Sequence, residues 1–480
     1  MSIDTLRREL LPRTACEIVE ILAHGGVSPS ELVEICHGRI VEVDSVVNAL
    51  PTLCIDRARD YASKIAFRSR SVADRTGWLG GLPIAVKDLN PVAGVRTTFG
   101  SPIFADHVPE HSDYTVERLE SNAASIVAKS NTPEFGAGGT TFNDVFGVTS
   151  NPWDTRKTCG GSSGGASVAV ATGQVWGASG SDFGGSLRIP ASFCGVVGLR
   201  PTPGVVPRGP ATQPFSSLWV DGPIARNVPD CALLLDAMSG LDARDPLSRP
   251  RPVASYLAAT RQEPMRRPRV AHSLDLGVTP VDPAVARVFS SVLDTIAGTD
   301  AEIEEASPDM TGAPAVFHTL RAAWLAADMV ELLDGHESEL KPELVWNIRK
   351  GMALSADEIG RAEVERGRLF RRFIDFFDRY DLLVTPATVI APFDKSQRFP
   401  ESIDGRRLET YLDWYAITYC VSLTACPAMS LPVGFTEEGL PVGLQIVAPP
   451  FAEDRLLSWA ARLESQLDIA DRLPIDPIGH

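Results

Sequence analysis

Two glycine-rich segments that each carry a Gly-Gly-Ser run mark the stretch from Cys159 to Leu199: Gly160-Gly161-Ser162-Ser163-Gly164 and Gly180-Ser181-Asp182-Phe183-Gly184-Gly185-Ser186. Glycines directly before a hydroxyl let the backbone approach a neighbour closely, or take positive φ, where a side chain would clash. The first segment matches the G-x-S-x-G pattern of a nucleophile elbow, which needs a strand just before it and a catalytic histidine after it. The preceding Asn-Pro-Trp-Asp-Thr-Arg-Lys-Thr is turn-like, and His272, His318, His336 and His480 have no informative surroundings. A phosphate loop is disfavoured, because no lysine follows the glycines where G-x-x-x-x-G-K-[ST] requires one. Taken singly, either segment reads as a tight connection between core elements.

The elements around these segments read as α/β. Thr14 and Glu17 form a capping box before a helix that Gly25-Gly26 stops, and Ser28 or Ser30 starts a second helix. Residues 82–86, a short apolar run ending at Lys87-Asp88, read as a buried strand, and residues 125–131 repeat the form. Further strands are expected after Gly195, at 380–386 and at 441–448, with helices at 164–173, 314–334 and 356–379. Residues 203–225 and 243–314 read as the least regular part. No linker divides the chain. The expected organisation is one domain over 1–480: N-terminal helices (1–75), a core carrying the two glycine-rich segments (76–200), a variable portion with helices (201–430) and a C-terminal core strand and helix (431–480).

Composition bounds the function. At 480 residues, with 44% hydrophobic and 22% charged residues, the chain can bury a substantial core. A net charge of −16 disfavours gripping a phosphate backbone, so no nucleic-acid partner is expected. The eight cysteines form no C-x-x-C pair and read as scattered reduced thiols, with no metal site expected. Charged residues occupy the start where a signal peptide needs its apolar core, and no apolar run reaches membrane-spanning length, so a cytoplasmic location without a membrane partner is expected.

The combination is more specific than its parts. Gly80-Gly-Leu-Pro-Ile-Ala-Val-Lys-Asp88, Gly160-Gly-Ser-Ser-Gly-Gly165 and Gly180-Ser-Asp-Phe-Gly-Gly-Ser-Leu-Arg-Ile-Pro-Ala191 occur in order, and the spacing of Ser162 and Ser186 also matches. With 131–135, 151–154, 198–202, 222–226 and the two C-terminal segments around Cys426 and Gly439, the chain resembles the amidase signature family over nearly its whole length. The resemblance implies a single large domain with a central mixed, twisted sheet flanked by helices on both faces. It also implies Lys87 as base, Ser162 as proton relay and Ser186 as nucleophile, with a cis peptide bond before Ser162 and the amides of Phe183, Gly184, Gly185 and Ser186 as oxyanion hole. No cofactor is implied. Ser181 and Phe183 depart from the family's usual threonine and smaller residue, and Cys159 from its usual proline.

Lysine as base poses a physical problem. Its ordinary pKa of about 10.4 leaves only about one molecule in 2,500 neutral at pH 7. Burial lowers that value, and the apolar 82–86 strand offers a dry wall. Asp88 is adjacent but points to the opposite strand face. Lys129, also following an apolar strand, is the rival base. Asp182 reads as an acceptor for the glycine-turn amides, beside Gly161 as a crowding-sensitive position. Arg188 is open to two readings, a substrate carboxylate contact or an internal salt bridge. Phe215, Trp219, Phe317, Trp324, Trp346, Tyr411, Trp414, Tyr415 and Tyr419 lie in segments from which the family builds its pocket, and two or three of them in a cavity would suit an aryl or apolar acyl group. The expectation is hydrolysis of a small-molecule amide or anilide through a Ser186 acyl-enzyme. The alternatives are a carbamate, urethane or ester hydrolase using the same residues and one component of a tRNA-dependent amidotransferase. A homodimer is the default assembly.

Overall fold

An eleven-stranded sheet runs through the molecule, seen in a computed structural model that describes residues 3–65, 76–263, 266–467 and 469–479. The end of the expected N-terminal helical segment (66–75) and His480 therefore lie outside the described residues. The strands of the sheet are β1 (Thr52–Leu53), β2 (Pro83–Lys87), β3 (Ser125–Ser130), β4 (Gly177–Asp182), β5 (Val197–Arg200), β6 (Val220–Ala225), β7 (Arg269–His272), β8 (Glu302–Glu305), β9 (Leu382–Pro386), β10 (Ala428–Phe435) and β11 (Pro441–Val447). Their spatial order is β1-β3-β2-β4-β6-β5-β10-β11-β9-β7-β8. β3, β2 and β4 run parallel, as do β9, β7 and β8, whereas the middle of the sheet is antiparallel. The sheet is thus mixed, as expected.

Alternation along β2 assigns its two faces. Ile84 and Val86 pack with Leu234 and Leu456 in one apolar layer, whereas Ala85 packs with Val127, Ala166 and Val170 in the other. Burying an Ile or Val side chain contributes roughly 1.5–3 kcal/mol, so a one-residue slip of this strand would be strongly disfavoured. Lys87 shares the parity of Ala85 and therefore faces the layer covered by the helix Gly164–Ala171.

The N-terminal helices form as read. Thr14 and Glu17 close a capping box on Ala15–Ala23, and Ser28, with Glu31, does the same for Pro29–Val47. Two expectations need correction. The segment 243–314 is not largely irregular: it holds β7, β8 and the helix Pro283–Gly298, which buries Val285, Val288, Phe289, Val292 and Ile296 at helical spacing under an Asp282 cap. Residues 180–182, read as part of a tight connection, instead end a central strand, Gly177–Asp182, although glycine and serine are poor strand formers. Close packing explains the small residues: a Cβ on Gly177 would lie 2.5 Å from Leu234, and one on Gly180 would lie 2.7 Å from Ser163 Oγ.

Candidate active site

The end of β4 is held by a buried ionic knot. Asp182 accepts hydrogen bonds from Gly185 N at 2.9 Å and Leu187 N at 3.2 Å, and from Arg188 Nε and Nη2, each at 3.0 Å. Arg200 Nη1 lies 3.2 Å from the same carboxylate. Burial alone would raise the Asp182 pKa, but the two guanidiniums overcome it and hold the carboxyl at about 2. Arg188 also donates to Thr418 O, Gln445 Oε1 and Ser422 Oγ, is fully buried, and does not line the cavity described below. Of its two readings, the internal salt bridge is the one realised. Asp182, Arg188 and Arg200 thereby set the path of 183–187 as the chain leaves β4 for the helix Arg188–Cys194.

Lys87, at the end of β2, meets the first glycine segment. Its ammonium is fully buried and donates to Ser162 Oγ at 2.6 Å and to Ser181 Oγ at 3.0 Å. Burial lowers the Lys87 pKa to about 7, against the weaker opposing pull of the Asp221 and Asp182 carboxylates. The Gly161–Ser162 peptide bond is cis, and a Cβ on Gly161 would lie 2.9–3.0 Å from the Thr140 backbone, so the loop fits closely only with glycine there. Ser163 N donates to Ser186 O at 3.2 Å, which ties the two glycine segments together. The rival lysine is engaged elsewhere. Lys129 lies 3.4 Å from Asp88, both buried, and donates to Asn90 O and Thr97 Oγ1.

Ser186 opens into a narrow cavity whose walls include Phe183, Trp219, Phe317, Trp324 and Tyr415. Trp324 packs edge-on against Phe183 at 5.3 Å and stacks on Trp219 at 5.5 Å. Phe215 is instead exposed, and Trp346, Tyr411, Trp414 and Tyr419 lie outside the lining, Tyr419 backing Phe317 in a 4.2 Å stack. Among the four expected oxyanion donors, Gly185 N is taken by Asp182, whereas the N–H groups of Phe183, Gly184 and Ser186 meet no acceptor among the described residues. Ser181, Asp221, Arg200 and Arg321 were not singled out as site residues from sequence; of these, Ser181 alone carried a signal, as a departure from the family pattern.

This geometry accommodates attack by a hydroxyl on a planar carbonyl: a low-pKa amine against one serine, a second serine beside unpartnered amides, and an apolar chamber. The amidase family model matches residues 31–457, and the chain belongs to the amidase signature family. It is an amide hydrolase of that class, acting on carbon–nitrogen bonds. It is 36% identical over 470 residues to an acylamidase of Rhodococcus erythropolis, covering 97% of this chain and 98% of that protein. It is also 35% identical over 501 residues to a glutamyl-tRNA(Gln) amidotransferase component of Moorella thermoacetica, covering 97% of this chain and 99% of that protein. Among solved structures, a bacterial aryl acylamidase of the amidase signature enzymes superposes with TM-score 0.88 at 27% identity, over 96% of this chain and 99% of that one. The 6-aminohexanoate cyclic dimer hydrolase superposes at 0.85 with 26% identity, over 97% and 99%. No helix among the described residues is long and apolar enough to cross a membrane.

Proposed function

We propose that the protein hydrolyses amides or anilides with an apolar or aryl portion through an acyl-enzyme on Ser186. Neutral Lys87 takes the Ser162 proton as Ser162 takes that of Ser186. The Ser186 Oγ then forms a bond to the carbonyl carbon, and the oxyanion is met by the N–H groups of Phe183, Gly184 and Ser186. Collapse breaks the C–N bond as the proton returns through Ser162 to the leaving amine, and water, activated by the same relay, releases the acid. The observation that carries this reading is the Lys87–Ser162 contact at 2.6 Å beside a lysine whose pKa burial lowers to about 7. Such an amine is neutral in about half the molecules at pH 7, where a base is most useful.

The amidotransferase reading draws on relatives of that name. Against it stands the chamber itself, whose lining among the described residues contains no carboxylate to receive the ammonium of glutamine. A panel of 4-nitroanilides, primary amides and 4-nitrophenyl carbamates on one purified preparation tests the proposal. Faster turnover of the aryl or alkyl amides than of glutamine and the carbamates supports it. Turnover of glutamine alone, with partner proteins co-purifying, contradicts it.

A further inference from the structure

Arg321 is an unexpected residue in the apolar chamber. It projects from the helix Ala313–Met329, is only 6% exposed, and lines the same cavity as Ser186. Its Nη1 donates to Asn347 Oδ1, and its guanidinium lies 5.6 Å from the Tyr411 ring centre. Both partners are neutral. Asn347 is held in that orientation because its Nδ2 donates to Tyr411 OH and Glu343 O. Nearby acidic groups are committed elsewhere: Glu343 pairs with Arg398, and Asp413 lies 3.6 Å from His318. Among the described residues no carboxylate lies within ion-pair distance of Arg321, whereas the fully buried Arg188 and Arg200 share Asp182. A buried cation without a counter-charge is costly, and a guanidinium is the side chain best shaped to hold a carboxylate by two parallel hydrogen bonds.

We propose that Arg321 binds a carboxylate at the far end of the substrate's acyl chain, so that the preferred substrates are monoamides or monoanilides of dicarboxylic acids. This rests on the amide-hydrolase reading above and narrows it. The acyl chain belongs in this chamber because a larger, more open cavity shares Phe135, Trp219 and Trp324 with it and leaves room there for the departing amine. The aromatic walls cover the methylenes while Arg321 takes the charged end. Glutamine meets only half of this requirement, since its ammonium finds no carboxylate in the lining.

The test compares mono-4-nitroanilides of succinic, glutaric and adipic acids with the 4-nitroanilides of butanoic, pentanoic and hexanoic acids. The expected result is a kcat/KM at least about tenfold higher for the acid-bearing member at one or more lengths, a floor well below what sites built around a polar group can reach. In Arg321→Met that ratio falls about tenfold, and Arg321→Lys keeps part of it. Equal or better cleavage of the neutral anilides by the wild type at every length, or an unchanged ratio in Arg321→Met, overturns the proposal while leaving amide hydrolysis intact. Should Arg321→Met fail to fold, competitive inhibition of the wild type decides: glutarate or adipate must inhibit more strongly than pentanoate or hexanoate. If no amide or anilide of any kind is cleaved, the hydrolase reading itself fails and this one with it.

Discussion

Lys87 Nζ lies 2.6 Å from Ser162 Oγ, in a position that water does not reach and that no carboxylate neutralises by direct contact among the described residues. A buried lysine beside Asp or Glu stays charged; one beside hydroxyls gives up its proton near neutrality. The pair therefore predicts how activity varies with pH. The value of kcat/KM should rise with pH along a single-proton limb centred near 7 and then level off, as Lys87 becomes neutral in the free enzyme. Burial lowers the His318 pKa to about 4, well below that limb. A limb that survives in His318→Gln supports the assignment, and one that disappears argues for histidine.

Stability should carry the same signature. An unfolded lysine titrates far above the folded Lys87, so the folded state binds fewer protons between about pH 7 and 10.5 and gains stability as pH rises through that window. Lys87→Met removes this burden and should stabilise the protein more at pH 6 than at pH 9, by about 2–3 kcal/mol of difference at 1.36 kcal/mol per pKa unit. Urea unfolding of both proteins at both pH values measures it; equal effects would mean Lys87 is neutral or charged throughout.

Asp182→Asn should unfold the protein readily. The change leaves Arg188 and Arg200 buried without their shared counter-charge, a loss of about 3–5 kcal/mol when one partner of a buried pair is removed. In the wild type, the depressed Asp182 pKa contributes stability that is complete above about pH 4 and is lost as pH falls toward 2, worth about 2 kcal/mol. Thermal melting across pH 2–6 follows both effects.

Trp324 separates pocket from chemistry. It contacts Phe183 and Trp219 in the chamber wall but forms no hydrogen bond with Lys87, Ser162 or Ser186. Trp324→Ala should raise KM for anilides of long or aryl acids about 2- to 10-fold, given about 0.5–1.5 kcal/mol per aromatic contact, and raise KM for acetanilide less. A uniform fall in kcat for all of them would place Trp324 in the chemistry instead.

Local signals and long-range ones were not equally legible. The capping boxes at Thr14 and Ser28, the apolar run before Lys87 and the glycines before Ser162 and Ser186 are local patterns, and each corresponds to an element or tight approach in the fold. Arg200, Asp221 and Arg321 were not readable because their significance arises only when distant strands and helices meet: Arg200 reaches Asp182 from β5, and Arg321 enters the chamber from a helix more than a hundred residues after Ser186. Strand β4 was hidden by its own composition, since Gly177 and Gly180 are chosen for close packing against Leu234 and Ser163 and not for strand propensity. The helix Pro283–Gly298 was masked by surrounding proline and charge, although its apolar spacing was present.

The most direct test of the central claim is to find where the acyl group goes. A 4-nitrophenyl carbamate or sulfonyl fluoride, allowed to react with the enzyme and mapped by peptide mass spectrometry, should label Ser186. Labelling should be absent in Ser186→Ala and slowed at least about a hundredfold in Lys87→Ala, the lower range of general-base effects. A label on Ser162 or any other residue in the wild type, or undiminished labelling with full turnover in Ser186→Ala, would contradict the account.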